Sequence, residues 1–427
     1  MFVKILLEGK VVFVKETSKP RRRIEQMVRC SSLFSQVLSL VDRMDFHKLV
    51  LKHDAERHAK GYSSWAHFVA MLFCQLAQAK SIREICGGLA CCTGKMRHLG
   101  LKNFPRKSTL AYANAHRPWE MYRDLFYLLL DRYRGTITGK KRKLRFKNKL
   151  LSLDSTTISL CLSMFPWAQF RQAKGAVKLH LLLDHDGYLP AYAYISNGKK
   201  HDVTVARKVP LSKGSIVTMD RGYNDYSLFS SWTQAGIYFV TRLKDNAVFK
   251  VIKEQEVPSH KNILADQLIA FTGVGAWEKC PHILRRVVVW DEVHNEEIVL
   301  LTNHFSLVAV TISAIYKDRW EIEIFFKTLK QNLKVKTFVG TSENALYIQI
   351  WTALIAILII KYLHHLSTFS WSLSNLVSLL RWNLFTYREL YAWLDNPYET
   401  PPAEPAFIQE TLPLPGLGQQ MRNIRKR

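Results

Sequence analysis

The chain has 427 residues, 48% of them hydrophobic, which is enough to bury a sizeable core and too apolar for a disordered polymer. Its 61 Lys and Arg against 35 Asp and Glu leave a formal charge of +26, and the first 150 residues alone hold 31 of those cations against 11 acids. Such an excess points to a polyanionic partner bound through counterion release, while seven cysteines, an odd number without any Cys-x-x-Cys pair, fit reduced thiols better than a disulfide framework.

Residues 1–26 read as a poorly structured extension. The segment MFVKILLEGKVVFVKETSKPRRR lacks the small-residue cleavage site of a secretory signal, and Met27 is the expected translational start. Residues 27–133 read as a helical domain. SSWAHFVAMLFCQLAQAKSIREICGGLACC has apolar residues at helical spacing, interrupted at Gly87 and Gly88, and KNFPRKSTLAYANAHRPW follows. Helix, turn, helix, basic loop, helix is the order found in helix-turn-helix DNA readers. Ser108 or Thr109 is expected to cap a helix presenting Asn114 and Arg117 to base edges, with Arg106 and Lys107 suited to phosphates. Residues 134–149 form a basic linker containing Lys140, Lys141, Arg142 and Lys143. From Arg132 to Lys149 there are nine Lys or Arg and no acid, a run expected to follow a DNA backbone.

From residue 150 the pattern becomes α/β. LLSLDSTTISLCL places Asp154 in an apolar, β-branched run, and VKLHLLLD and LPAYAYIS read as a hairpin joined by HDGY. HDVTVARKV reads as a helix, SIVTM as a strand ending at Asp220, YSLFSSWTQAG as a helix closed by Gly236, and IYFVTRL as a further strand. Residues 244–307 then carry FKVIKEQEV, ILRRVVVWDEV and EEIVLLTNHF, a β-rich insertion. Next comes IYKDRWEIEIFFKTLKQNL, where Tyr316, Arg319, Glu323 and Lys330 follow one another at spacings of three, four and seven. On an α-helix these steps return to an arc of roughly 60°.

A carboxylate, two cations and a phenol on one stripe make a poor core face and a good grip on a metal-bound phosphate. A hard divalent ion needs further oxygen ligands, and Asp154 and Asp220, on strands, are the candidates. Asp184 and Asp186 in a turn, and Asp202 and Asp225 ahead of helices, rank below them because turns and helix caps account for them. Residues 336–395 read as C-terminal helices. IWTALIAILII is apolar for eleven residues, short of the ~20 a membrane span requires, so it reads as a buried helix and no membrane is implied. Residues 396–427, with PYETPPAEPAF and PLPGLG, read as a flexible tail from their Pro content.

These residues resemble the DDE transposases of bacterial insertion sequences, in particular the large family, numbered four, defined by Tyr-x2-Arg-x3-Glu-x6-Lys around the last catalytic acid. All four positions are present, and Asp220, Gly222 and Tyr223 match the Asp-x-Gly-Tyr that follows the second aspartate. The resemblance runs from about Leu150 to Leu333. It implies a ribonuclease-H-like mixed sheet flanked by helices, with Asp154, Asp220 and Glu323 holding two Mg2+ ions (Mn2+ as a substitute). It further implies DNA-phosphate contacts by Tyr316, Arg319 and Lys330, and an insertion packed beside the active site. In some relatives a Trp before the strand leading to the Glu helix stacks on a flipped base. Ile298 holds that place here, and Trp290, eight residues earlier, is either a substitute DNA contact or a core side chain. The expected activity is binding of terminal inverted repeats, end cleavage and strand transfer on double-stranded DNA by a homodimer in the cytoplasm at the nucleoid. The alternatives are a catalytically idle repressor of transposition and a stand-alone metal-dependent nuclease.

Overall fold

The computed structural model describes residues 2–7, 10–15 and 31–399, apart from 58, 93–95, 139–143, 145, 172–173, 258–261, 334 and 336. Near the N-terminus β1 (Phe2–Leu7) and β2 (Lys10–Lys15) pair antiparallel, with Phe2 opposite Lys15. This part of the extension therefore has regular structure where none was expected. Val, Ile and Phe dominate both strands, and that favours β over coil.

Six helices follow: α1 (Leu33–Ser39), α2 (Arg43–Lys52), α3 (Ser64–Ala77), α4 (Ile82–Ala90), α5 (Lys107–His116) and α6 (Glu120–Ile137). Ser32, Asp42, Ser63 and Ser81 each accept a backbone N–H from the helix they precede. Gly87 and Gly88 do not break the chain. The break comes earlier, at Gln78 in the left-handed region (φ 54°), and α4 runs through both glycines. Gly88 is there for packing, because a Cβ would stand 2.6 Å from the Phe73 ring across the α3–α4 contact. Nor does Ser108 or Thr109 cap α5, which begins at Lys107 after Arg106 with no side-chain cap.

A ten-stranded sheet carries the rest. Its elements in chain order are β3 (Leu150–Leu160), β4 (Gln169–Arg171), β5 (Lys174–Asp184), β6 (Leu189–Asn197), α7 (Asp202–Ala206), β7 (Ile216–Met219), α8 (Tyr226–Gln234) and β8 (Tyr238–Arg242). They continue with β9 (Phe249–Glu254), β10 (Ile263–Phe271), α9 (Ala276–Lys279), β11 (Leu284–Asp291) and β12 (Glu296–Thr302). β3 is central. It pairs antiparallel with β5, Asp154 opposite Leu181, and parallel with β7, Leu153 opposite Met219. β5 also pairs antiparallel with β6, and β7 runs parallel to β8. The insertion extends this sheet: β12 pairs with β8, and β11, β10 and β9 follow outward, all antiparallel.

Five helices close the described chain: α10 (Ala309–Asp318), α11 (Trp320–Asn332), α12 (Glu343–Leu366), α13 (Leu373–Trp382) and α14 (Leu390–Asp395). Among the described residues α12 is the helix long and apolar enough to cross a bilayer, and most of it lies buried inside the fold. Its core is shared by α1–α6, by α11–α14 and by one face of the sheet through Ile158, Leu179, Leu181 and Leu183. The N-terminal and C-terminal helices thus pack as one body. The opposite sheet face, with Leu153, Leu182, Val217 and Met219, is covered by Leu228, Phe229 and Trp232 of α8. A third cluster, including Leu150, Ile216, Val240 and Val287, lies under Ile312 and Ile315 of α10.

Candidate active site

Alternation along β3 sends even-numbered residues to the α10–α12 side and odd-numbered ones to the α7–α8 side. Asp154 is even, and it meets Arg319 there. Arg319 sits where α10 and α11 join, one residue of turn between two helices, so the four-residue motif does not ride a single unbroken helix. The Ile322 amide bonds the Arg319 carbonyl at 3.1 Å, a tighter i,i+3 closure that marks the bend. From this corner the Arg319 guanidinium donates to Glu323 Oε1 at 2.6 Å, stands 3.7 Å from Asp154 Oδ2, and lies 5.5 Å from the Tyr316 ring. Its side chain is only 12% exposed, and among the described residues its Nε has no partner.

Asp220 ends β7. Its Oδ1 accepts the Gly222 amide at 2.9 Å, in a turn so close that a Cβ on residue 222 would stand 3.1 Å from that oxygen. A side chain there would make the Asp220 carboxylate give way by a few tenths of an ångström. Burial in the first place, reinforced by the neighbouring carboxylates Asp220 and Glu323, raises the Asp154 carboxyl to about 7 against the opposing Ser155 amide and Arg319. Burial also raises Tyr316, which feels Arg319, Arg242 and Asp220. The three acids are electrostatic neighbours, with a guanidinium between two of them. Among the described residues no three potential ligands close on one point at metal-binding distance. Lys330 turns to the same strand farther along, its Nζ donating to the Thr157 carbonyl at 3.0 Å.

On the odd-numbered face lies a cluster that sequence reasoning missed. Asp202 caps nothing. Its Oδ1 accepts from Ser155 Oγ at 2.7 Å, and its carboxylate takes the Lys178 ammonium at 3.1 Å and lies 3.5 Å from His180 Nδ1. Tyr223 is buried beside it, its phenol pushed well up by burial and by Asp154, Asp202 and Asp220. The available signal was Lys178 and His180 at alternate positions of a strand otherwise apolar.

The expected DNA-reading face of α5 is corrected by the fold. Asn114 is buried and its Oδ1 faces His67 Nε2 at 2.7 Å. Arg117 is also buried, donating to the carbonyls of Tyr62 and Ser63. Asn344 of α12 bonds the carbonyls of both residues, which turns this side of α5 inward. Arg106 and Lys107 are exposed, as a phosphate contact requires. Lys140, Lys141, Arg142 and Lys143 lie outside the described residues. Trp290 is half-buried on β11 opposite Glu297, in a hairpin that overhangs the end of β8, where Arg242 bonds Glu296 at 3.1 Å.

The described transposase DDE domain matches residues 145–359, half of the chain, and spans every one of these acids. The chain belongs to the transposase DDE-domain family. A second match, to a domain of unknown function (DUF4372), covers residues 29–102 of this transposase-family chain. A Sinorhizobium fredii protein assigned as a transposase is 29% identical over 71% of this chain and 83% of its own. A Geobacillus stearothermophilus protein assigned as the transposase of insertion sequence element IS5377 is 29% identical over 62% and 69%. A Synechocystis protein assigned the same role for element IS4SA is 25% identical over 60% and 71%. Among solved structures, a piggyBac transposase in a synaptic complex with hairpin DNA aligns over 83% of this chain and 78% of that one, at 12% identity and a TM-score of 0.40.

Proposed function

We propose that this chain performs cut-and-paste transposition of an insertion sequence, binding the terminal inverted repeats of double-stranded DNA and carrying out metal-dependent end cleavage and strand transfer. The catalytic core is ribonuclease-H-like. The order β6–β5–β3–β7–β8, with β3, β7 and β8 parallel and β5 antiparallel between β3 and β6, supports that reading. One observation carries the assignment: Asp154, Asp220 and Glu323, from a central strand, a parallel neighbour and a late helix, meet in one electrostatic neighbourhood although they are remote in sequence.

The donor set is oxygen-only, which suits Mg2+ or Mn2+. It is also underneutralised, since burial and two like charges push Asp154 toward protonation with Arg319 as the nearby counter-cation. These residues fit a pair of hard divalent ions, held by Asp154, Asp220 and Glu323. When bound, such ions supply the Lewis acidity that activates a water or a DNA 3′-hydroxyl and stabilises the leaving oxygen. The remaining work falls to the chain. Arg319 places a guanidinium beside the acids for a phosphate oxygen, Tyr316 stands next to it, and Lys330 adds a cation along β3. Two copies of the chain bring two DNA ends together.

The test is a strand-transfer reaction on linear donor DNA carrying the element's own ends, with Mg2+. The wild-type chain is expected to cut and join. Glu323→Ala should lose both steps while retaining end binding nearly intact, because the carboxylate makes no DNA contact. A repressor would bind without cutting and a nuclease would cut without joining. Equal loss of binding and cleavage in Glu323→Ala counts against the assignment.

A further inference from the structure

We propose that Ser152, His185 and Asp318 form a positioning relay that pins the α10–α11 junction to β3 and so sets the spacing of Asp154 and Glu323 for a divalent cation. This rests on the metal-binding reading of those acids. Ser152 Oγ lies 2.6 Å from His185 Nε2, and His185 Nδ1 lies 2.6 Å from Asp318 Oδ2. An ionised Asp318 can only accept, so Nδ1 carries the proton and Nε2 is left to accept from the serine hydroxyl. Tyr188 adds a longer bond to the same Asp318 oxygen at 3.4 Å.

The order serine, histidine, aspartate is that of a nucleophilic triad, but the site cannot serve as one. Ser152 is wholly buried in a strand paired on both sides, so its hydroxyl meets no substrate. The cavity lined by Phe146, His185, Tyr188 and Asp318 measures about 20 Å3, room for a single water and not for an acyl group. The relay is instead placed where geometry matters. Ser152 precedes Asp154 by two residues on the same face of β3, and Asp318 stands at the α10–α11 bend from which α11 carries Glu323 back toward Asp154.

β3 is paired with β5 along its length and with β7 over Leu150–Leu153. The junction between α10 and α11 is a bend with weaker internal support, and Asp318 is its last helical residue before the turn. His185 stands in the turn between β5 and β6, tied to β3 by its own amide through the Leu150 carbonyl at 3.1 Å. The relay therefore runs from the bend to the sheet's centre through a group fixed to both. Apolar packing would hold helix to sheet without the desolvation cost of a histidine and an aspartate that are 6% and 13% exposed. What it lacks is direction: a chain of hydrogen bonds fixes a distance, while packed methyl groups tolerate sliding. Partners hydrogen-bonded to metal ligands typically change affinity by roughly 10–100-fold when removed, and a relay that acts through the backbone of the bend belongs at the lower end of that range.

The experiment measures Mn2+ binding to the full chain without DNA, by electron paramagnetic resonance, alongside a thermal melt in chelator. Asp154→Asn should abolish tight binding. Asp318→Ala should remain folded and bind Mn2+ about tenfold more weakly. Asp318→Asn, which removes the same charge but still offers an oxygen to Nδ1–H, should recover most of that loss and so separates geometry from charge. Ser152→Ala deletes one oxygen from a doubly paired strand and should weaken Mn2+ binding several-fold with little change in melting. A folded Asp318→Ala or Ser152→Ala protein binding Mn2+ as tightly as wild type overturns the relay and leaves the metal site standing. Wild-type binding unaffected by Asp154→Asn overturns the metal site, and the relay with it.

Discussion

Replacing Arg319 by Gln should move two affinities in opposite directions. The guanidinium donates to Glu323 at 2.6 Å and stands 3.7 Å from Asp154, with 12% of its side chain exposed. A hydrogen bond to a charged partner in such a setting contributes about 1.5–3 kcal/mol, or roughly ten- to a hundredfold in an equilibrium constant. A divalent ion seeking the same carboxylates has to displace this internal cation. Gln keeps much of the length and an amide donor but not the charge, so the DNA-free protein should bind Mn2+ about tenfold more tightly or better. The same substitution removes a cation from the DNA, so the slope of log affinity against log salt for end binding should shrink by about 0.9. Calorimetric titration with Mn2+ and a filter-binding salt series read the two effects separately. The cost to stability should be small, because Glu323 is 33% exposed and rehydrates once released. A fall in Mn2+ affinity, or no change, would refute the idea that Arg319 competes with the ion.

Three further outcomes follow from buried groups. Asn114→Ala leaves His67 without its 2.7 Å partner and should cost about 1–3 kcal/mol in urea denaturation, with sequence preference at the DNA ends unaltered. Altered preference at undiminished stability would return Asn114 to the DNA. Asp266→Ala strands the Arg285 guanidinium, held bidentate at 2.8 and 2.6 Å with both side chains nearly sealed from solvent, and should cost about 3–5 kcal/mol. An unchanged denaturation midpoint would contradict it. His67 is depressed to about 3 by burial and then by Arg117, against the bond to Asn114. Its folded value lies below the ordinary 6.5, so between those limits the unfolded chain binds the extra proton and stability falls as pH falls. The slope approaches about 1.4 kcal/mol per pH unit. Denaturation curves at pH 6.5, 5.5 and 4.5 should show the decline, and a His67→Gln variant should lack that component.

The sheet was legible in the sequence because its strands are short β-branched runs bounded by turn residues, as around His185–Gly187 and at Gly236. Local chemistry fixes such elements. What local chemistry could not tell was how the insertion attaches, because β12 finds its partner in β8 across more than fifty residues of chain, and pairing of that kind leaves no periodic trace. The same limit explains the misreading of α5. Helical spacing assigns Asn114 and Arg117 to a face, but the side on which the face packs depends on Asn344 and α12, more than two hundred residues downstream.

The acids of the candidate site were visible for the converse reason: a carboxylate inside an apolar strand, such as Asp154, is costly unless something offsets it, so its position alone is informative. Ser152 and Asp202 gave no such warning. A serine in a strand is cheap, and an aspartate at the start of a helix has an ordinary explanation. Both turn out to be tied to groups from other elements, Ser152 to His185 and Asp202 to Lys178 and Ser155. The residues that hold the site in place are therefore harder to read than those that form it. A ligand must be chemically conspicuous, while a support need only meet its partner, and that meeting exists only after β3, β5 and the segments that follow them have come together in the fold.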